Sequence, residues 1–324
     1  MATDTVMKPV RSLLTRLKPR KSVSTLIAST LLITLVIIGF MRFLPERKPY
    51  VSISANSEFA TYRVTREKAA EVPLNEAAYR GDIASCPRLE ELTGKKALTG
   101  RLEPSTGSIV TYRNYDGEIA IAVSAGPHGP GTLNFADGPP CSLGTRSIFV
   151  LNGKTGSVPP LPIAGPADIG REYGEPPIPD GQRHHPTDHM SAGSIQIFGR
   201  SRLAPYLGAL YPVSSASFPL PAGGRLSSGD NLSPSGQHAQ AEPWYGIAEV
   251  RNDGFRISAT TATANLYLYR PGATGETERF ALDAFVGPLS DPSVILLTVF
   301  FAIVTMTLKS VSVVITLLRD DKGK

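Results

Sequence analysis

The stretch VSTLIASTLLITLVIIGFM, Val23 to Met41, constrains this chain more than any other. It runs nineteen residues with no charge, no proline and a single glycine. At about 1.5 Å of rise per residue, a helix of that length matches the roughly 30 Å hydrocarbon core of a bilayer. A second apolar block, SVILLTVFFAIVTMTLKSVSVVITLL, covers Ser293 to Leu318 and is broken only by Lys309. A cleaved signal peptide is the competing reading of the first block. Its basic leader is long, and the bulky, charged MRFLPERKPY follows where a small-residue cleavage pattern would stand. The expected layout is a basic tail at 1–21, a first span at 22–44, a central domain at 45–288, a second span with an interfacial extension at 289–318, and a short tail at 319–324.

Charge orients these spans. Lys8, Arg11, Arg16, Lys18, Arg20 and Lys21 precede the first, and Arg319, Lys322 and Lys324 follow the second. The positive-inside rule then places both termini in the cytoplasm and the central domain on the other side, with a bacterial inner membrane as the expected setting. Lys309 falls where a span starting near Leu289 reaches the cytoplasmic interface, so its amine is expected to snorkel to the headgroups. The functional alternative is a lysine that pairs with a partner subunit inside the membrane. The isoelectric point near 9.2 suggests nucleic acid at first sight. Residues 45–288, however, hold 22 Lys and Arg against 24 Asp and Glu. The basic excess lies in the tails, where it meets lipid headgroups, and leaves no footprint for a nucleic acid.

The chain has two cysteines, Cys86 and Cys141, both in the central domain. An even count outside the cytoplasm favours one disulfide. The domain also holds nearly all of the 30 glycines and 28 prolines. Strand signals recur through it: alternating 51–66, a hairpin over 107–126 turning at Asp116-Gly117, strands at 146–157 and 193–202, and a pair over 244–272 turning at Asp253-Gly254. Residues 278–287 close the domain. Helix is expected only over 67–81 and 87–93, where Ala and Glu are frequent despite Pro73. Residues 159–190 and 227–243 read as long irregular connections, the first a possible seam between two units. No fixed-period repeat is evident. The expected fold is a mainly β extracytoplasmic domain, an antiparallel sandwich or barrel of one or two units, held by two transmembrane helices.

Motifs carrying chemistry are few. Asn152-Gly153-Lys154-Thr155 contains the end of a phosphate loop, but Ile148 stands where its first glycine belongs. Gly126, Gly129 and Gly131 lie in GPHGPGTLN without a βαβ context and read as a turn. No G-x-S-x-G elbow occurs, and the proximity of Ser235 to His238 in sequence defines no triad. Asn231-Leu232-Ser233 fits a glycosylation acceptor, which matters only in a eukaryotic secretory pathway. Trp244, Tyr245, Phe255, Tyr267 and Tyr269 would suit either a sugar-stacking face or a sheet core, and the alternation favours core.

The sharpest chemical question is HHPTDH, residues 184–189. His184, His185, Asp188 and His189 are candidate metal ligands, and four-residue spacing would place His185 and His189 on one helical face. Pro186 stands where a metalloprotease would carry its glutamate base, and any further ligand must come from distant His128 or His238. A solvated loop tip is the simpler expectation. Three functions follow: a membrane-anchored module that binds a protein or an envelope polymer, without cofactor; a zinc-assisted hydrolase acting on an envelope or lipid-linked substrate at 184–189; and a transporter accessory subunit contacting its partner through Lys309. The first is favoured, because tethering at both ends and the absence of an assembled catalytic motif suit binding.

Overall fold

The computed structural model describes residues 48–81, 86, 97–115, 117–135, 138–152, 158–171, 189–201, 210–227, 242–263, 265–270, 278–282 and 291–321. The first expected span, 22–44, lies outside them, as do 87–93, 153–157, 172–188 and 228–241. Among the described residues the chain forms a β unit, Lys48–Pro292, and a C-terminal helical segment that begins at Ser293. Two antiparallel sheets make up the β unit, so the expectation of a mainly β domain is met.

The smaller sheet has six strands. In spatial order they are β10 (Leu161–Gly165), β15 (Trp244–Arg251), β16 (Gly254–Ala262), β1 (Tyr50–Ser57), β12 (Met190–Arg200) and β13 (Leu210–Leu220). The larger has twelve: β18 (Glu278–Ala281), β17 (Asn265–Tyr269), β14 (Arg225–Ser227), β11 (Ala167–Ile169), β2 (Phe59–Arg63), β5 (Ile109–Tyr115), β6 (Glu118–Ser124), β9 (Arg146–Asn152), β3 (Val72–Gly81), β4 (Leu98–Pro104), β7 (Gly131–Phe135) and β8 (Cys141–Ser142). The chain passes between the sheets at short corners, as from β1 into β2 and from β10 into β11. Ser57 shapes the first corner: its hydroxyl donates to the Phe59 carbonyl at 2.8 Å and accepts from the Phe59 amide at 3.2 Å. Because β10 and β11 belong to different sheets, residues 161–169 weave into the unit where an irregular connection was expected.

Period-two alternation, legible in the sequence, sorts the strand faces. Along β1, Val51, Ile53 and Ala55 are buried while Ser52, Ser54 and Asn56 face outward. Along β16, Phe255, Ile257 and Ala259 are buried, and Arg256, Ser258 and Thr260 face outward. Inner residues of both sheets merge into one hydrophobic cluster. The rings of Tyr112 in β5 and Phe255 in β16 meet across it, with centroids 6.3 Å apart. The hairpin expected over 107–126 forms: Tyr115 pairs with Glu118, and Gly117 precedes Glu118 at φ 86°. The other expected turn is shifted by one residue. Arg251 pairs with Gly254, so Asn252 and Asp253 form the loop and Gly254 opens β16.

The helix expected over 67–81 does not form. Only Glu67–Ala70 makes a 3₁₀ turn, and Val72–Gly81 is β3. Pro73 blocks a helix interior, and pairing with β4 and β9 supplies the backbone hydrogen bonds instead. A bulge hid the strand from its own pattern. Val72 and Leu74 are buried, Asn75 and Glu76 both face out, and burial resumes at Ala77 and Tyr79. The register shift lies between Leu74 and Ala77, with Glu76 at a left-handed φ of 52°. One inserted residue breaks the alternation that marks a strand.

A buried chain of hydroxyls crosses the sheets. The Tyr112 hydroxyl donates to the Pro162 carbonyl in β10 at 2.7 Å. It lies 3.1 Å from the Tyr62 hydroxyl, which therefore donates to it. Burial pushes both phenols well above their usual range; the neighbouring Tyr62 adds to the effect at Tyr112. Both groups thus keep their protons in the folded state beyond the point, about pH 10, where an unfolded tyrosine loses its proton. Their contribution to stability is complete below about pH 10 and is lost as pH rises through the higher folded values. We expect alkaline unfolding to begin above that pH, and Tyr62→Phe to flatten the dependence. Denaturation midpoints against pH, followed by the emission of the single tryptophan, check this; an unchanged slope in the variant would refute it.

The helix, α1, spans Pro292–Asp321. Pro292 suits a first helical position because its missing N–H would be unpaired there anyway. The stretch Pro292–Val313 is long and apolar enough to cross a membrane. Leu296, Phe300, Ile303 and Met306 are all exposed along it. Four hydroxyls are satisfied within the helix: Thr298, Thr305, Thr307 and Ser310 each donate to the carbonyl four residues earlier, at 2.7–2.9 Å. Such bonds spare polar groups from unpaired exposure to hydrocarbon.

Candidate functional site

Of the four candidate metal ligands only His189 lies among the described residues; His184, His185 and Asp188 fall outside them, as does His238. His189 is half-buried just before β12. Its Nδ1 lies 3.1 Å from the Arg171 carbonyl, and its own carbonyl accepts from the Glu58 amide at 3.4 Å. His189 therefore ties the two ends of segment 171–189 together beside the β1–β2 corner. His128 is exposed in the turn where Gly126 and Gly129 bridge. Among the described residues no three His, Cys, Asp or Glu side chains gather as a metal would require.

The expected bridge joins Cys86 to Cys141, with Cα atoms 5.6 Å apart. Cys141 opens β8, the two-residue strand at one edge of the larger sheet. The aromatic cluster resolves as core at its main members: Trp244, Phe255 and Tyr269 are buried. Arg225 stacks over the Tyr269 ring at 4.2 Å and Arg66 over Tyr245 at 5.3 Å.

The described cavity lies elsewhere, on the outer face of the six-stranded sheet. It is an open groove of about 450 Å³ lined by Ser54 and Asn56 of β1, Ala192, Gly193 and Ser194 of β12, Arg256 of β16, and Arg251 and Asp253 at the β15–β16 turn. Strand register assembles it. Asn56 sits between Arg256 and Ala192, and Ser54 between Ser258 and Ser194. The short side chains of the central strands form a floor; the arginines and Asp253 stand along one side.

The turn that carries this wall is anchored from the opposite sheet. Asn114 of β5, almost fully buried, donates through Nδ2 to the carbonyls of Arg251 at 3.2 Å and Gly254 at 3.1 Å. Its Oδ1 accepts from the Gly117 amide at 3.1 Å, which ties the two hairpin turns to one another. Arg251 also donates to Glu249 at 2.7 Å; both side chains are substantially exposed, so the pair is weak. With two guanidiniums and one carboxylate, the lining carries a net charge of +1. Serine hydroxyls and an amide beside these groups allow the floor both to donate and to accept hydrogen bonds.

Apart from Asp253, which the sequence marks only as a turn residue, nothing in the sequence singles out this set. Each is ordinary in its own strand, and no spacing links position 54 to 194 or 256. The only local trace is alternation, which marks Ser54, Asn56 and Arg256 as outward-facing. Comparison of the chain with protein-family models, curated protein sequences and solved structures returns no match.

Proposed function

We propose that this protein is a membrane-anchored binding module, with both termini in the cytoplasm and the β unit on the extracytoplasmic side. The groove on the outer face of the six-stranded sheet carries this reading. It is open, and the described residues that line it are hydrogen-bonding and ionic groups with Ala192 and Gly193, a set suited to holding a ligand. The apolar length of α1 and the basic residues Arg319, Lys322 and Lys324 that follow its membrane-length part support the anchoring and its direction. Lys309 lies seventeen residues, about 26 Å, beyond Pro292, within snorkelling reach of the far interface of a roughly 30 Å core.

Two measurements on the full chain test this. Single cysteines introduced at exposed Glu118 and in the 319–324 tail, with the Cys86–Cys141 bridge left intact and so closed to thiol reagents, should label from opposite sides of the membrane. Purification in mild detergent after crosslinking should retain an envelope polymer or protein partner. Labelling of both positions from one side would overturn the topology. Stoichiometric zinc that is lost in His185→Ala plus His189→Ala, with no retained partner, would replace binding by the metal-assisted hydrolase.

A further inference from the structure

We infer that the groove binds a carboxylated saccharide; this rests on the binding-module reading and names its ligand class. Among the described residues the lining contains no aromatic ring and no large aliphatic side chain, with Ala192 and Gly193 as its apolar members. An acyl chain or a hydrophobic peptide anchor would find nothing there to bury against. The floor instead offers Ser54, Ser194 and Asn56, each able to donate and accept, with Asp253 as a pure acceptor. Vicinal ring hydroxyls need this mixture, because each hydroxyl also donates and accepts.

The charges specify the rest of the ligand. Arg251 and Arg256 present two guanidinium forks, the geometry that takes a carboxylate through paired N–H donors. The Arg251–Glu249 ion pair is exposed and weak, so a ligand carboxylate can replace Glu249 at little expense. Asp253 disfavours a compact dianion such as phosphate. It tolerates a monoanionic sugar whose hydroxyls turn towards it, and the net lining charge of +1 matches one carboxylate. The volume of about 450 Å³ falls within the range of roughly 300–1,000 Å³ typical of small-ligand sites. The groove is open, so a longer chain can continue past it. Its wall is held in place before binding by the two hydrogen bonds from Asn114.

The test uses the full-length protein in detergent, titrated calorimetrically with digalacturonic acid, its dimethyl ester and inorganic phosphate. Digalacturonic acid should bind, and the uncharged ester should bind about tenfold more weakly, as should the acid to Arg251→Gln or Arg256→Gln. Phosphate should not compete. Unchanged tryptophan emission and far-UV circular dichroism establish that the variants are folded. Equal binding of acid and ester, or unaltered binding by both folded variants, would overturn the assignment; so would competition by phosphate, which would mark a plain anion site. If digalacturonic acid fails to bind while a protein partner is retained in an Arg251- and Arg256-dependent way, the saccharide assignment falls and the binding module stands. If neither is retained, both fall.

Discussion

Replacing Cys86 and Cys141 by alanine is expected to destabilise the β unit by about 4 kcal/mol, from the loss of loop-closure constraint on the unfolded chain. The bridge closes a loop of 55 residues in sequence separation. Typical domains have only about 5–15 kcal/mol of net stability, so this is a large fraction. The structure adds where the loss falls first. Cys141 belongs to β8, which pairs with β7 only through Thr132↔Ser142 and Leu133↔Cys141. Without the bridge this edge has little to hold it. The adjoining backbone groups of β7 would then be open to pairing with another chain, the usual hazard of an exposed sheet edge. Denaturant titration followed by tryptophan emission should show a much lower midpoint, with aggregation rising in parallel. A loss under about 1 kcal/mol would contradict the chain-entropy account of this bridge.

Trp244→Ala should cost about 3–5 kcal/mol, the range for deleting a large buried aromatic side chain. Trp244 is fully buried at the start of β15, paired with Gly165 of β10. It belongs to the cluster shared by both sheets. Its indole nitrogen is buried without a hydrogen-bond partner among the described residues, a cost of about 1–3 kcal/mol that the ring's packing outweighs. Trp244→Phe keeps much of the ring and removes that unpaired donor, so its net effect should be about 1 kcal/mol or less. Because the variants lose the fluorophore, unfolding is best followed by far-UV circular dichroism. Equal losses in both variants would show that the indole nitrogen contributes a bond after all. The same burial removes Trp244 from any sugar-stacking role and leaves ligand contacts to the polar groove.

Much of the β unit was legible residue by residue. Strands β1, β5, β6, β9, β12, β15 and β16 stand where alternation and turn residues place them, and the cysteine pairing follows from there being only two. Eight strands are not legible in this way. In β3 a bulge interrupts the alternation, while β7, β8, β10, β11 and β14 have only two to five residues each, too few to show a period. Strands β4 and β13 are longer but carry glycine or proline within them, residues that read as loop. Helical composition over 67–81 pointed the wrong way, because propensity is a weak preference that strand pairing overrides. The histidine-rich stretch stands out for the opposite reason: clustering along the chain is conspicuous in a sequence, and of its four candidate ligands only His189 lies among the described residues. Its one described member, His189, holds a backbone carbonyl.

Turn chemistry, face alternation and the length of an apolar run are local properties. They depend on residues within a few positions of one another, so the chain's β character, its β5–β6 hairpin and the membrane-length segment of α1 are written in the sequence. Sheet order and register are not local. Only strand pairing places Asn56 between Arg256 and Ala192, or sends the Asn114 amide to the carbonyls of Arg251 and Gly254. Those contacts join residues more than a hundred positions apart. They form because the buried faces of the two sheets must meet, and that requirement brings the outward arginines, serines and Asn56 together as a groove.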